Sequence, residues 1–213
     1  MQDLNKQDET HIYSVKEIYS NKQHIRCLKI APTDFFSYGI KELTYQLDQC
    51  IDLITLKIDL NAVQLDDSGL ISISRVIDKF YKNIQTLTLE IERNGIGNEG
   101  MNILCETLKK CDSIKFLKLN LRINKINDNS FRNLTNALMQ KKSLSYIIFD
   151  FRANNIGIGG LKFFIESTYL NKNIRVFQIN TWIKETFKNT LIKNITKKQK
   201  RIYKRLVSTE III

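Results

Sequence analysis

The chain has 213 residues, of which 43% are hydrophobic and 26% charged, enough for one substantial core and unlike a disordered protein. Its formal net charge is +11, yet residues 184–213 hold nine Lys or Arg against Glu185 and Glu210, so the remainder is only mildly basic. No run approaches the roughly 18 apolar residues of a membrane-spanning helix, which argues against an integral helical membrane protein.

Residues 1–24 read as an N-terminal cap or extension. Their opening, MQDLNKQDETH, is polar and partly acidic, without the apolar stretch of a secretory signal or the Arg-rich, acid-poor character of a transit peptide. Cys27, Cys50, Cys105 and Cys111 form no C-x-x-C pair. Reduced thiols in a cytoplasmic, reducing compartment are the economical expectation.

From about residue 25 to 183 the sequence repeats. The alternating run Leu28-Lys-Ile30 is followed by Leu56-Lys-Ile58-Asp-Leu60, Leu87-Thr-Leu89-Glu-Ile91, Leu117-Lys-Leu119-Asn-Leu121, Ile147-Ile-Phe149-Asp-Phe151 and Phe177-Gln-Ile179. From Leu56 onward these starts lie 31, 30, 30 and 30 positions apart. Alternation with period two predicts strands. After the strands, Asn94, Asn124 and Asn154 recur at a spacing of 30, and Ile96, Ile126 and Ile156 follow each by two positions. Gly69, Gly100, Ser130 and Gly160 form a column of small residues. Helical patterns start next: Leu70, Ile73, Val76, Ile77 and Phe80 share one face, as do Met101, Leu104, Cys105 and Leu108, and Phe131, Leu134, Ala137 and Leu138.

These columns resemble leucine-rich repeats of the long, ribonuclease-inhibitor-like subclass. The likeness implies an α/β solenoid, a right-handed β-α horseshoe of about six repeats of roughly 30 residues, with a parallel sheet on the concave face and helices on the convex face. The sequence departs from that pattern where Val63 replaces the Asn, and the strand carries an extra alternating pair. The most regular part is therefore expected between about residues 84 and 160. Asn94, Asn124 and Asn154 are expected to be structural, satisfying backbone groups at the strand exit in their own and the next unit.

One segment inside this period invites another reading. Gly95-Ile-Gly-Asn-Glu-Gly100 matches G-x-G-x-x-G between a predicted strand and a predicted helix, the setting of a dinucleotide-binding loop. Such a loop also calls for an acid at the end of the next strand, and that strand ends Leu119-Asn-Leu-Arg-Ile-Asn124. The equivalent Asn124-Lys-Ile-Asn-Asp-Asn-Ser130 has no glycine at all. The glycines are therefore read as corner residues, and no cofactor is expected.

With the Leu columns inward, the intervening residues form the concave face. Its rows are Lys29, Lys57, Thr88, Lys118, Ile148 and Gln178; Ala31, Asp59, Glu90, Asn120, Asp150 and Asn180; and Thr33, Asn61, Glu92, Arg122, Arg152 and Trp182. Arg and Trp are enriched at binding hot spots, so Arg122, Arg152 and Trp182 lead the candidate partner contacts, with Asp59, Glu90, Glu92, Lys118 and Asp150 beside them. The competing reading pairs Glu92 and Asp150 with the arginines across neighbouring strands and has Trp182 close the core.

Residues 184–213 then read as a basic amphipathic cap helix and tail, with Phe187, Leu191, Ile195, Ile202 and Leu206 on one stripe. Lys197, Lys198, Lys200, Arg201, Lys204 and Arg205 supply the alternative: contact with nucleic-acid phosphates, an anionic membrane or an acidic protein. Glu210-Ile-Ile-Ile213 is expected as an edge strand or as a segment against a neighbour.

His11 and His24 are the only histidines, and both precede the repeats. No metal-binding pair, Walker-type loop or nucleophile with an orienting base is discernible. The sequence points to a non-catalytic protein–protein interaction module or structural scaffold subunit of a multi-subunit complex, with no small-molecule substrate, metal or cofactor. The alternative is an RNA- or membrane-associated factor tethered by the C-terminal basic segment.

Overall fold

The computed structural model describes residues 26–50, 53–181 and 208–212. Strands and helices alternate: β1 (Cys27–Ile30), α1 (Pro32–Asp48), β2 (Thr55–Asp59), α2 (Asp66–Lys79), β3 (Thr86–Glu90), α3 (Asn98–Lys110), β4 (Phe116–Asn120), α4 (Asp128–Met139), β5 (Tyr146–Asp150), α5 (Ile158–Leu170), β6 (Val176–Asn180) and β7 (Ser208–Ile212). The alternation follows the change of apolar period. In the third unit Leu87, Leu89 and Ile91 are buried two apart, then Met101, Leu104, Cys105 and Leu108 at helical spacing. The first helix is less regular, being interrupted at Gly39 with φ 71°.

All seven strands lie parallel in one sheet, in sequence order. The expected columns are the observed register. Leu28, Leu56, Leu87, Leu117, Ile147 and Phe177 face one another along the sheet, and so do Ile30, Ile58, Leu89, Leu119, Phe149 and Ile179. Both columns are buried against the helices, making one continuous core. The chain is thus a leucine-rich-repeat α/β solenoid. In its C-terminal half phenylalanines replace leucines. Phe131 meets Phe151 edge-on at 4.9 Å between ring centroids, and Phe164 links Phe149 to Phe177. Glu210-Ile-Ile takes the edge-strand placement, because β7 pairs with β6. The predicted cap helix before it and the predicted N-terminal extension lie outside the described residues.

Two hydrogen-bond ladders join the units on the strand-exit side. In the first, Asn94 Oδ1 accepts the Val63 and Leu65 N–H groups at 3.0 Å each, while its Nδ2 donates to the Leu60 and Glu92 carbonyls. Asn124 repeats this towards Asn94, Ile96 and the Ile91 carbonyl, and Asn154 towards Ile126 and the Leu121 carbonyl. Each amide serves its own and the preceding unit, a correction to the expected direction. The cause lies one residue earlier. Ala62, Arg93, Ile123 and Ala153 all have φ between 54° and 56°, and this left-handed turn precedes each column position.

In the second ladder, residues of a helix's first turn hold the next unit. Asp67 Oδ1 accepts from Gly97 N–H at 2.6 Å, and Asp128 likewise takes Gly157 N–H. Between them Asn98 Oδ1 accepts from Asn127 N–H and from the Ser130 hydroxyl, both at 3.0 Å. This explains the small column from Gly100 onward, whereas at Gly69 a Cβ would meet the Leu65 side chain, 2.4 Å away. A Cβ on Gly100 would sit 2.7 Å from Asp67 Oδ1, and one on Gly160 2.7 Å from Asp128 Oδ1. Where a side chain is present, at Ser130, the ladder uses its hydroxyl. Gly97 and Gly100 therefore give way to a carboxylate of the unit before, and Gly95 supplies a turn at φ 70°. The dinucleotide-like spacing belongs to the repeat.

Candidate functional site on the sheet face

The outward residues of the strands form the candidate surface, and the register puts the expected rows in place: Lys57, Thr88, Lys118, Ile148 and Gln178 in one, Asp59, Glu90, Asn120, Asp150 and Asn180 in the next. Most of the charged candidates are engaged with one another. Lys118 pairs with Glu90 across β4 and β3, and Arg122 Nη1 with Glu92 at 2.9 Å. Asp150 does not reach across the sheet as expected. It holds Arg152, two residues further along its own chain, with Nε 3.0 Å from both carboxylate oxygens. This bonding raises the Arg152 guanidinium above its ordinary pKa. Arg122 and Arg152 remain about one-third exposed, and Arg122 Nε–H has no partner among the described residues.

The acidic row also shapes the strand exit. Asp150 Oδ1 accepts Arg152 N–H at 3.1 Å, Asn120 Oδ1 accepts Arg122 N–H at 3.2 Å, and Asp59 stands in the same relation to Asn61. Glu90, with its longer side chain, does not complete such a turn. There the neighbouring Asn61 takes the Glu92 N–H instead, at 2.7 Å. Asp59, Asn120 and Asp150 therefore have a structural use whatever they bind. Trp182 and the six basic candidates from Lys197 to Arg205 lie outside the described residues.

A further row went unread in the sequence. The first residues of the strands, Thr55, Thr86, Phe116, Tyr146 and Val176, also point outward in register. Phe116 and Tyr146 are half-buried with ring centroids 6.3 Å apart. Val176 and Ile148, also half-buried, extend them into an apolar patch over β4–β6. The signal was available: these residues continue the alternation one step before each leading Leu or Ile.

Beyond that row, the loops entering the strands carry Arg26, Lys82, Lys115, Lys142, Lys172 and Arg175, all exposed and none with a carboxylate partner among the described residues. Lys141 differs: it is 4% exposed, bonds the Lys109 carbonyl at the end of α3, and pairs with Asp112 at 2.7 Å. A shallow, open groove of about 510 Å³ lies on the same rim, between Arg26, Lys82, Gln85 and Ser113. The opposite rim is mixed, carrying Asp66, Asp67, Glu99 and Asp128 beside the exposed Arg93 and Lys125.

Burial disfavours the thiolate form of three cysteines. Burial pushes Cys105 up to about 12 and Cys50 and Cys111 up to about 11, and all are free. Among the described residues no group of three His, Cys, Asp or Glu could hold a metal, and no helix is long and apolar enough to cross a membrane.

No protein-family model and no curated protein matches the sequence. Among solved structures, the tropomodulin C-terminal domain of Caenorhabditis elegans is similar, with a TM-score of 0.53 at 11% identity over 78% of this chain and 96% of that one. A structure titled Leiomodin-1 Actin-Binding Site 2 (ABS2) gives a TM-score of 0.47 at 14% identity, over 70% of this chain and 86% of that one. At 11% identity, the likeness to the tropomodulin domain is one of fold.

Proposed function

We propose that the protein is a non-catalytic protein–protein interaction module that binds through the concave sheet face and serves as a scaffold subunit of a larger assembly. The observation that carries this reading is the apolar patch of Phe116, Tyr146, Ile148 and Val176, set on an otherwise polar sheet that ends at Arg122 and Arg152. Half-buried aromatic residues and partly exposed arginines on one face are residue types enriched at interfaces. The ion pairs on the arginines do not oppose this, since such pairs at a surface are worth about 0–1 kcal/mol and are readily exchanged.

A helix of twelve or more residues after each of β2 to β5 supports the ribonuclease-inhibitor-like subclass. Buried cysteines kept as free thiols support a reducing, cytoplasmic setting. Crosslinking of the native assembly, read by mass spectrometry, tests the binding face. Crosslinks should fall on Lys57 and Lys118 in preference to Lys109 and Lys162 of the helices, and the reverse pattern would overturn the reading. Reversing Arg122 and Arg152 together should abolish co-purification of the partner in protein whose circular dichroism is unchanged. If binding instead follows RNA or anionic vesicles and vanishes on removing 197–205, the tethered-factor alternative replaces this one.

A further inference from the structure

Cations gather along one edge of the sheet, and that edge says what kind of partner fits. Arg26, Lys82, Lys115, Lys142, Lys172 and Arg175 come from five units, yet the register gathers them on the rim where the strands begin. The apolar row of Phe116, Tyr146 and Val176 runs immediately inside that rim. The rim at the strand ends is mixed, with Arg93 and Lys125 among its acids. Building on the sheet-face reading above, we propose that this face binds an acidic, extended segment of a protein partner. Its apolar side chains pack on Phe116, Tyr146, Ile148 and Val176, and its carboxylates lie along the basic rim.

Three considerations select that chemistry. Exposed cations without carboxylate partners among the described residues favour an anionic ligand. The length also suits a segment. From β1 to β6 the rim crosses five strand spacings, about 24 Å, the reach of about seven extended residues. The apolar row favours protein over single-stranded nucleic acid. Phe116 and Tyr146 lie side by side, tilted by 31°, with aliphatic Val176 and Ile148 completing the patch. Apolar side chains fit such a surface, whereas bases need open ring faces on which to stack.

The test is fluorescence anisotropy on the full chain with four labelled probes: a nine-residue alternating Glu/Leu peptide, its Lys/Leu counterpart, an all-Glu peptide, and nine-residue oligo-dT. The Glu/Leu peptide should bind best, and its affinity should fall several-fold between 50 and 200 mM salt. Phe116→Ala with Tyr146→Ala should weaken it about tenfold, as typical interface anchors do. Lys142→Glu with Arg175→Glu, both at exposed positions that leave the fold intact, should weaken it by a similar factor. Lys197→Glu with Lys198→Glu should leave it unchanged. Equal binding of the all-Glu peptide, tighter binding of oligo-dT, loss confined to the Lys197/Lys198 variant, or no binding by the Glu/Leu peptide would each overturn the proposal. A Lys/Leu peptide that binds as tightly, and still depends on Phe116 and Tyr146, would overturn the acidic class alone. The sheet-face reading would then stand, since the crosslinking pattern decides it separately.

Discussion

Asn124 satisfies two backbone N–H groups and the carbonyls of Ile91 and Leu121 from a side chain only 8% exposed. Each buried group left unpaired costs about 1–3 kcal/mol, so Asn124→Ala should lose at least about 3 kcal/mol in urea unfolding. Asn154→Ala should lose less, because Asn154 is half-exposed and serves one N–H. Ala153 sits at φ 54°, which costs an L-residue about 1–2 kcal/mol, so Ala153→Gly should raise stability by about 0.5–1 kcal/mol. The buried thiols give a pH dependence with a definite sign. Their folded pKa values lie above the ordinary 9.0, so unfolding releases protons as pH rises past it, and stability should fall between pH 9 and 11. Cys105→Ala should make that fall shallower by up to about 1.4 kcal/mol per pH unit, as followed by denaturant midpoints. The importance of the Asn column was legible in the sequence because it recurs every 30 residues. Its direction was not, since that depends on the left-handed residue before it, and Ala62, Arg93, Ile123 and Ala153 share no side-chain type that would announce such a turn.

At the scale of the element, strand register and helix faces were legible because burial imposes two distinct periods on one apolar alphabet. The helix-start ladder was not. Asp67, Asn98 and Asp128 sit among surface-like residues, and their common task emerges only when successive units stack. Gly100 was readable as small, but the group that demands smallness belongs to another helix. Gly100→Ala should cost about 1–3 kcal/mol by overpacking. Asp67→Ala in that background should recover only part of it, because the added Cβ also lies 3.1 Å from the Asp67 Cα. A double-mutant cycle in urea reads the coupling directly, and full additivity would argue against this account. The aromatic row escaped notice for a related reason. The repeat was anchored on Leu and Ile, and the residue before each anchor varies from Thr to Phe to Val.

Over the whole molecule, net charge proved a weak guide. Most of the +11 is carried by residues 184–213, and the mild remainder looks featureless in sequence. Folding gathers part of that remainder into a basic rim where the strands begin, because loops about 30 residues apart become neighbours at one strand spacing. Both ladders are defined only relative to an adjacent unit, so each is unchanged when the structure is shifted by one repeat. Length in this protein is therefore quantised. Gain or loss of a whole unit within the regular region leaves every junction with its usual donors and acceptors, whereas a partial insertion breaks both ladders. Each added unit would widen the sheet face by one strand, about 4.8 Å, and bring its own outward residues with it. The span of partner it can grip is a quantity that duplication can tune without redesigning a single joint.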